Sequence, residues 1–296
     1  MSQINVRNPN SAGSDTTLAA DPAEKNLVRS LAKGFAVLRA FTAERDELAL
    51  AEVAREAGID NATAFRSLNT VVMHLVTPNL PFDPTSDLDV VARTGIAPLV
   101  MVMTPGRPQT TVAEVIGAAK AKPAEWTFAI TSVGSAGHLA TIEFNRRSGA
   151  HIEMAPYRGT QPALTDIIAG NVQLLIDPAF ALLPAARAGR AKALGIASAR
   201  RSQLAPELPT MSESGLGDFV FNSWYGIWAP KGTSAEIKGR VNTLMADAMR
   251  EAETRQWLTS RLVEPVTESA EEARAFMISE EKRARELLAS VNFKPA

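Results

Sequence analysis

The stretch 127–177, TFAITSVGSAGHLATIEFNRRSGAHIEMAPYRGTQPALTDIIAGNVQLLID, decides the fold. It opens on a short apolar run, Thr127–Thr131, breaks into a Gly-Ser loop, and resumes as a helical pattern over His138–Arg147. A second helical pattern, Leu164–Ala169, leads into a buried apolar run, Val172–Ile176, that stops at Asp177-Pro178. Short apolar strands alternating with helices are the mark of a parallel α/β sheet. In such sheets ligand groups collect beyond the carboxyl ends of the strands.

The same texture continues on both sides. Ala97–Met103 reads as a strand and Val112–Lys120 as a helix. Beyond Asp177, Leu182–Ala188 reads as a helix, and Ala193–Ala197 and Ser223–Ala229 as strands. The end is helical over Ile237–Arg250, Arg255–Leu262 and Ala270–Val291. Toward the N-terminus, Pro78, Pro81 and Pro84 interrupt any helix. Before them the texture is all-helical. Leu27, Leu31, Phe35 and Leu38 form one stripe, and Leu50, Val53, Ala54 and Ala57 a second. Gly58 ends that second helix, and Asp60 is placed to cap a third with Ala64, Leu68 and Val71 inward. Residues 1–26 are polar and read as a disordered tail. The expected organisation is therefore a tail over 1–26, an all-α helix-turn-helix head over 27–73 and an α/β body over 74–296.

Composition sets the outer limits. The chain has 296 residues, 46% of them hydrophobic and 21% charged, with a net charge of -1. Such a chain can bury a full core, and any nucleic-acid contact has to come from a local patch. There is no cysteine, so disulfide and thiolate chemistry are excluded. His74, His138 and His151 stand far apart, and no metal site or cofactor is expected. No stretch reaches the roughly 18 apolar residues of a membrane span, and the polar start carries no secretory leader, so the expected compartment is the cytoplasm.

Three loops of the body carry candidate chemistry. The loop from Thr131 to Gly137 offers hydroxyls and helix-start N–H groups to a carboxylate or phosphate, although an ordinary strand-to-helix connection would look the same. Arg158, in the loop Pro156–Pro162, reads equally as an anion clamp or a surface charge. Asp177 can meet a ligand amine or cap the following helix. His138 reads as a structural histidine, and Trp224, Tyr225 and Trp228 as core or hinge packing. No nucleophile–base pair is visible, so no enzyme is expected.

Two resemblances sharpen this reading. The segments SLAKGFAVLRAF (30–41) and LALAEVAREAGIDNATAFRSLNTVV (48–72) resemble the head of IclR-type transcriptional regulators. That resemblance implies a third helix reading double-stranded DNA through Asn61, Thr63, Phe65 and Arg66, in a homodimer addressing paired half-sites. No β-hairpin signal follows the third helix. From Pro78 onward, LPFDP, APLVMVM, TSVGSAGHLA, APYRGTQPALTDIIAGNVQLLID and NSWYGIWAPKGT resemble, in order, the Bug/TctC-type receptors of tripartite tricarboxylate transporters. This implies a periplasmic-binding-protein-like, two-lobe Venus-flytrap domain with its first lobe incomplete. It also implies a small carboxylate held by Thr131, Ser132, Gly134 and Ser135, with Tyr157, Arg158, Gly159 and Asp177 nearby. Together the two resemblances imply a ligand-responsive DNA-binding regulator. The alternative is a truncated solute-binding protein for an organic acid, or a gene fusion without function.

Overall fold

The computed structural model describes residues 72–77 and 83–294. In chain order the elements are α1 (Met73–Val76), β1 (Leu88–Met103), α2 (Val112–Ala121), β2 (Thr127–Ile130), α3 (Ala136–Ser148), β3 (Glu153–Pro156), α4 (Thr160–Ala169) and β4 (Leu174–Pro178). They continue with α5 (Ala179–Arg187), β5 (Lys192–Ile196), β6 (Asn222–Pro230), α6 (Ala235–Arg250), α7 (Ala252–Ser260), β7 (Glu264–Pro265) and α8 (Ala270–Ser290).

Strand β1 organises the fold. Its second half joins a sheet of order β3-β2-β4-β1-β5, while its first half pairs with β6 and β7. It changes partners between Pro98, which pairs with Asn222, and Leu99, which pairs with Pro178. One continuous strand therefore serves two lobes. In the second lobe the apolar run 97–103 is buried on both faces, with Leu99, Met101 and Met103 in one core cluster and Val100 and Val102 in another. The first cluster takes in Val115 of α2, Ile142 and Phe144 of α3 and Leu287 and Leu288 of α8. The second takes in Leu164 and Ile167 of α4 and Leu182 and Leu183 of α5. The lobe is a sheet with helices on both faces.

The sheet differs from the expected all-parallel one. β2 runs parallel to β3 and β4, but β1 is antiparallel to β4, β5 and β6. An apolar run reports burial on two faces, not direction, so the run 97–103 could not disclose that β1 enters from the other lobe. The first half of β1 was missed altogether. Register shifts between Val90 and Ala92 and between Arg93 and Gly95 break its period-two pattern, so LDVVARTG does not alternate.

Local chemistry sets the helix ends. Thr111 and Glu114 form a capping box on α2, and Ser269 and Glu272 form another on α8. Helix α8 ties the lobes together. At its start, Phe276 lies under the Arg93 guanidinium, 3.7 Å from ring centroid to Cζ. Near its end, Leu287 and Leu288 enter the core of the second lobe. Arg93 also makes two charge-assisted bonds to Glu268, at 3.0 and 2.7 Å. No helix of the described residues is long and apolar enough to cross a membrane.

Candidate functional site

Three parallel strands, β3, β2 and β4, bring their carboxyl ends to one edge of the second lobe. The loop after β2 holds Thr131, Ser132, Gly134 and Ser135, the loop after β3 holds Tyr157, Arg158 and Gly159, and β4 itself carries Asp177. The topology thus gathers eight residues from three separate segments.

Asp177 binds the segments together. It is 4% exposed and accepts from the Thr131 hydroxyl at 3.2 Å and from the Thr160 hydroxyl through its other oxygen. The Gly159 N–H donates to the Thr131 carbonyl at 3.0 Å, and the Tyr157 N–H to the Ile130 carbonyl at 2.8 Å, which continues the β2–β3 pairing into both loops. Asp177 neither caps α5, whose N-cap is Pro178, nor stands exposed as a salt-bridge partner. Burying a carboxylate is costly without such hydrogen bonds, so the two threonines and the acid act as one unit.

Glycines make the approach possible. Gly159, with φ at 108°, turns the second loop into α4. At the start of α3, a Cβ on Gly137 would stand 2.3 Å from the Ile176 carbonyl and 3.1 Å from an Asp177 oxygen. Only glycine lets α3 begin directly against the end of β4.

His138 supports the first loop from beneath. It is 4% exposed, and its Nδ1 accepts from the Gly134 N–H at 3.0 Å, so this nitrogen carries no proton. Burial pushes its pKa down to about 4. The Ser135 hydroxyl caps α3 by accepting from the His138 N–H at 3.2 Å. Val76 of α1 lies over the loop, its Cγ2 2.8 Å from where a Gly134 Cβ would be. Gly134 has φ at 80°, which a side chain would strain as well as crowd.

Not every expected residue faces the site with its polar atoms. Gly134 spends its N–H on His138. Tyr157 donates its hydroxyl to Asp166 at 2.7 Å, and burial, then that carboxylate, raises its pKa to about 12. Ser132 and Arg158 are exposed at the rim. The helix-start amides of Ala136 and Gly137 have no intrahelical acceptor. The sequence reading missed Thr160, whereas His138 is the structural histidine it expected, bonded to a backbone N–H. Thr160 was legible as the first helical residue after Gly159, in the same way that Ser135 was.

Tyr225 stands apart from its two neighbours on β6. Trp224 and Trp228 do pack, with centroids 5.9 Å apart and Trp224 edge-on to Phe276 at 5.7 Å. Tyr225, between them, stays 39% exposed. Its hydroxyl nevertheless senses the Asp177 charge. Burial first, then that charge, raises its pKa.

Comparison with known proteins gives a consistent picture. The profile of the "Tripartite tricarboxylate transporter family receptor" matches residues 42–293. Protein BugT of Bordetella pertussis is 34% identical over 206 residues, covering 70% of this chain and 63% of its own. A UPF0065 protein from the tcbD-tcbE intergenic region of Pseudomonas sp. is 30% identical over 191 residues, covering 64% and 57%. The chain thus spans less than two thirds of the length of these curated relatives. Among solved structures, R. palustris Rpa4515 with adipate superposes with a TM-score of 0.70 at 29% identity, over 75% of this chain and 74% of that one. The periplasmic binding protein BugD superposes at 0.68 and 22% identity, over 76% of each chain, which speaks for the fold alone.

These findings correct the expected DNA-binding regulator. Asn61, Thr63, Phe65 and Arg66 lie outside the described residues, but they fall inside the receptor match over 42–293. Helical periodicity reports that one face is buried, not what the other face touches, so the pattern over 27–73 carried less than was read from it. The expected double-stranded DNA partner is withdrawn, and the homodimer built on paired half-sites loses its basis with it. The cytoplasmic expectation is corrected as well. The matching family consists of transporter receptors, and BugD is a periplasmic binding protein.

Proposed function

Starting from the fact that this chain belongs to the tripartite tricarboxylate transporter receptor family, matched over residues 42–293, we propose that it is a solute-binding receptor for a small carboxylate. This family is one of receptors, not of enzymes. We take the binding unit to be residues 74–296, with its cleft between the two lobes that share β1.

One observation carries the reading: the Thr131–Asp177–Thr160 bridge, which holds two ligand-facing loops at one strand edge. In this reading a carboxylate sits at the first loop. It is met by the exposed Ser132 hydroxyl and the first-turn amides of α3, where the helix dipole favours an anion. Arg158 stands at the rim as a screening cation and Gly159 keeps the second loop close. Gly134, Ser135 and Tyr157 act through the backbone and through packing, since their polar groups serve His138, α3 and Asp166. Asp177 positions both loops. The relative solved with adipate, at 29% identity, supports a ligand of this class.

The test is titration calorimetry of the full chain with adipate, malate, citrate and hexanoate. Saturable heat with at least one of them is expected. A protein folded by circular dichroism that gives no heat with any of them at millimolar concentration would refute the proposal.

A further inference from the structure

We propose that α1 is a clasp for the first ligand loop, with Val76 as a positioning residue and the His74–Glu281 pair as the catch that keeps α1 in place. The proposal rests on the receptor reading above and gives that site a support from outside its own loops.

Helix α1 has little cause to form by itself. It is a single turn, Met73–Val76, and an isolated turn fixes several dihedral angles for one hydrogen bond. What holds it is tertiary. Val72, Leu75 and Val76 pack against the first core cluster of the second lobe, as does Ala136 of α3. His74 reaches α8, its Nε2 3.2 Å from a Glu281 oxygen. A carboxylate only accepts, so that nitrogen carries the proton. The two side chains are 20% and 22% exposed, and such a pair is screened far less than one on the open surface. Arg285 donates to the same Glu281 oxygen at 2.8 Å and orients the carboxylate.

That seat puts Val76 on one glycine. Its Cγ2, Cγ1 and Cβ lie 2.8, 3.0 and 3.4 Å from where a Cβ of Gly134 would stand. The Val76 side chain thus fills the space that a side chain at Gly134 would take. From beneath, His138 accepts the Gly134 N–H at 3.0 Å. Gly134 is gripped on two sides, by an apolar contact and by a hydrogen bond. The grip extends to its neighbours, because the Ser135 N–H donates to the Ser132 carbonyl at 3.2 Å and closes the turn. Moving Gly134 therefore moves the Ser132 hydroxyl and the first amides of α3, the groups that meet the carboxylate in the receptor reading.

The loop itself supplies little restraint. Ser132 and Val133 are exposed, and Gly134, with φ at 80°, has no side chain to limit its conformation. A loop that has to be ordered by its ligand binds that ligand more weakly than a loop already fixed. The clasp fixes it in advance.

Four variants of the full chain test this: Val76→Ala, Glu281→Ala, Glu281→Gln and, as a control, Ile278→Ala, which trims an exposed side chain of α8. Each is followed by thermal melting, by hydrogen exchange across residues 131–137 and by calorimetry with adipate, malate, citrate and hexanoate. Val76→Ala and Glu281→Ala should speed exchange in that segment by about fivefold or more and weaken the tightest of these ligands by about tenfold, while melting within a few degrees of wild type. Glu281→Gln keeps an acceptor for His74, so it should stay within about threefold of wild type in both readouts, as should Ile278→Ala. Wild-type exchange and affinity in the two alanine variants overturn the proposal. So does tighter binding by Val76→Ala, an affinity loss without faster exchange, or a Glu281→Gln protein as impaired as Glu281→Ala. If Val76→Ala does not fold, Glu281→Ala decides alone. If folded wild type binds none of the four ligands, the receptor reading fails, and the exchange comparison still decides whether α1 holds the loop.

Discussion

Acid should weaken this protein through one buried imidazole. His138 is 4% exposed, its Nδ1 accepts the Gly134 N–H, and its ring meets Phe293 edge-on at 6.0 Å. Its pKa falls from 6.5 to about 4 because burial disfavours the charged ring. Protonation would also turn Nδ1 into a donor facing another donor. In the unfolded chain the same histidine titrates at its ordinary value. Between the two values the unfolded state binds a proton that the native state refuses, so stability rises with pH there. The contribution is fully present above about pH 6.5 and is lost as pH falls toward 4. Each pKa unit corresponds to about 1.4 kcal/mol, so the loss between pH 7 and pH 4.5 is roughly 2–3 kcal/mol. Urea unfolding at both pH values measures it, and His138→Asn isolates it. The asparagine amide oxygen can replace Nδ1 as an acceptor but cannot take up a proton in this range. Other groups titrate alike in both proteins, so the wild type should lose about 2–3 kcal/mol more than the variant on acidification. Equal losses would refute the argument, and a wild type less sensitive than the variant would reverse its sign.

Two further outcomes follow from the same packing. Gly137→Ala would place a Cβ 2.3 Å from the Ile176 carbonyl, a backbone atom that cannot swing away, whereas Gly106→Ala meets nothing within 4 Å. The first should cost about 1–3 kcal/mol and lower the melting temperature by several degrees, and the second should change little; equal melting temperatures would show that α3 does not abut β4 as described. The chain has two tyrosines, and both have raised pKa values, Tyr157 to about 12. Ultraviolet titration of the native protein should therefore show little phenolate at pH 10.5, with stability falling as pH climbs from about 10 toward 12. A midpoint near 10 before unfolding would contradict the Tyr157–Asp166 bond and the enclosure of Tyr225.

Much of the body was legible in the sequence because its signals are local. The apolar runs at 127–131, 172–176 and 193–197 and the helices at 112–120 and 237–250 fall within a few residues of β2, β4, β5, α2 and α6. Each reflects burial of one segment, which periodicity reports directly. The eight body residues singled out from three loops do lie along one strand edge, because parallel strands send their carboxyl ends the same way. The helical stripes before residue 73 were equally local signals. They carried no information about DNA, since an amphipathic face specifies burial and leaves the partner of the other face open.

Only the tertiary structure decided what depends on two distant segments at once. The direction of β1 and its passage through both lobes depend on β4, β5 and β6, which lie about 70–140 residues away in the chain. The conversion of Asp177 from a candidate ligand contact into the bridge between Thr131 and Thr160 required three loops in place together. The assignment of the Gly134 N–H to His138, and of the Tyr157 hydroxyl to Asp166, settled which donors the site retains. The same holds for Tyr225, grouped with two packed tryptophans by sequence and left 39% exposed between them by strand alternation. A residue type lists what a side chain can donate or accept. Which of those bonds are already taken is a property of the neighbours that folding brings to it.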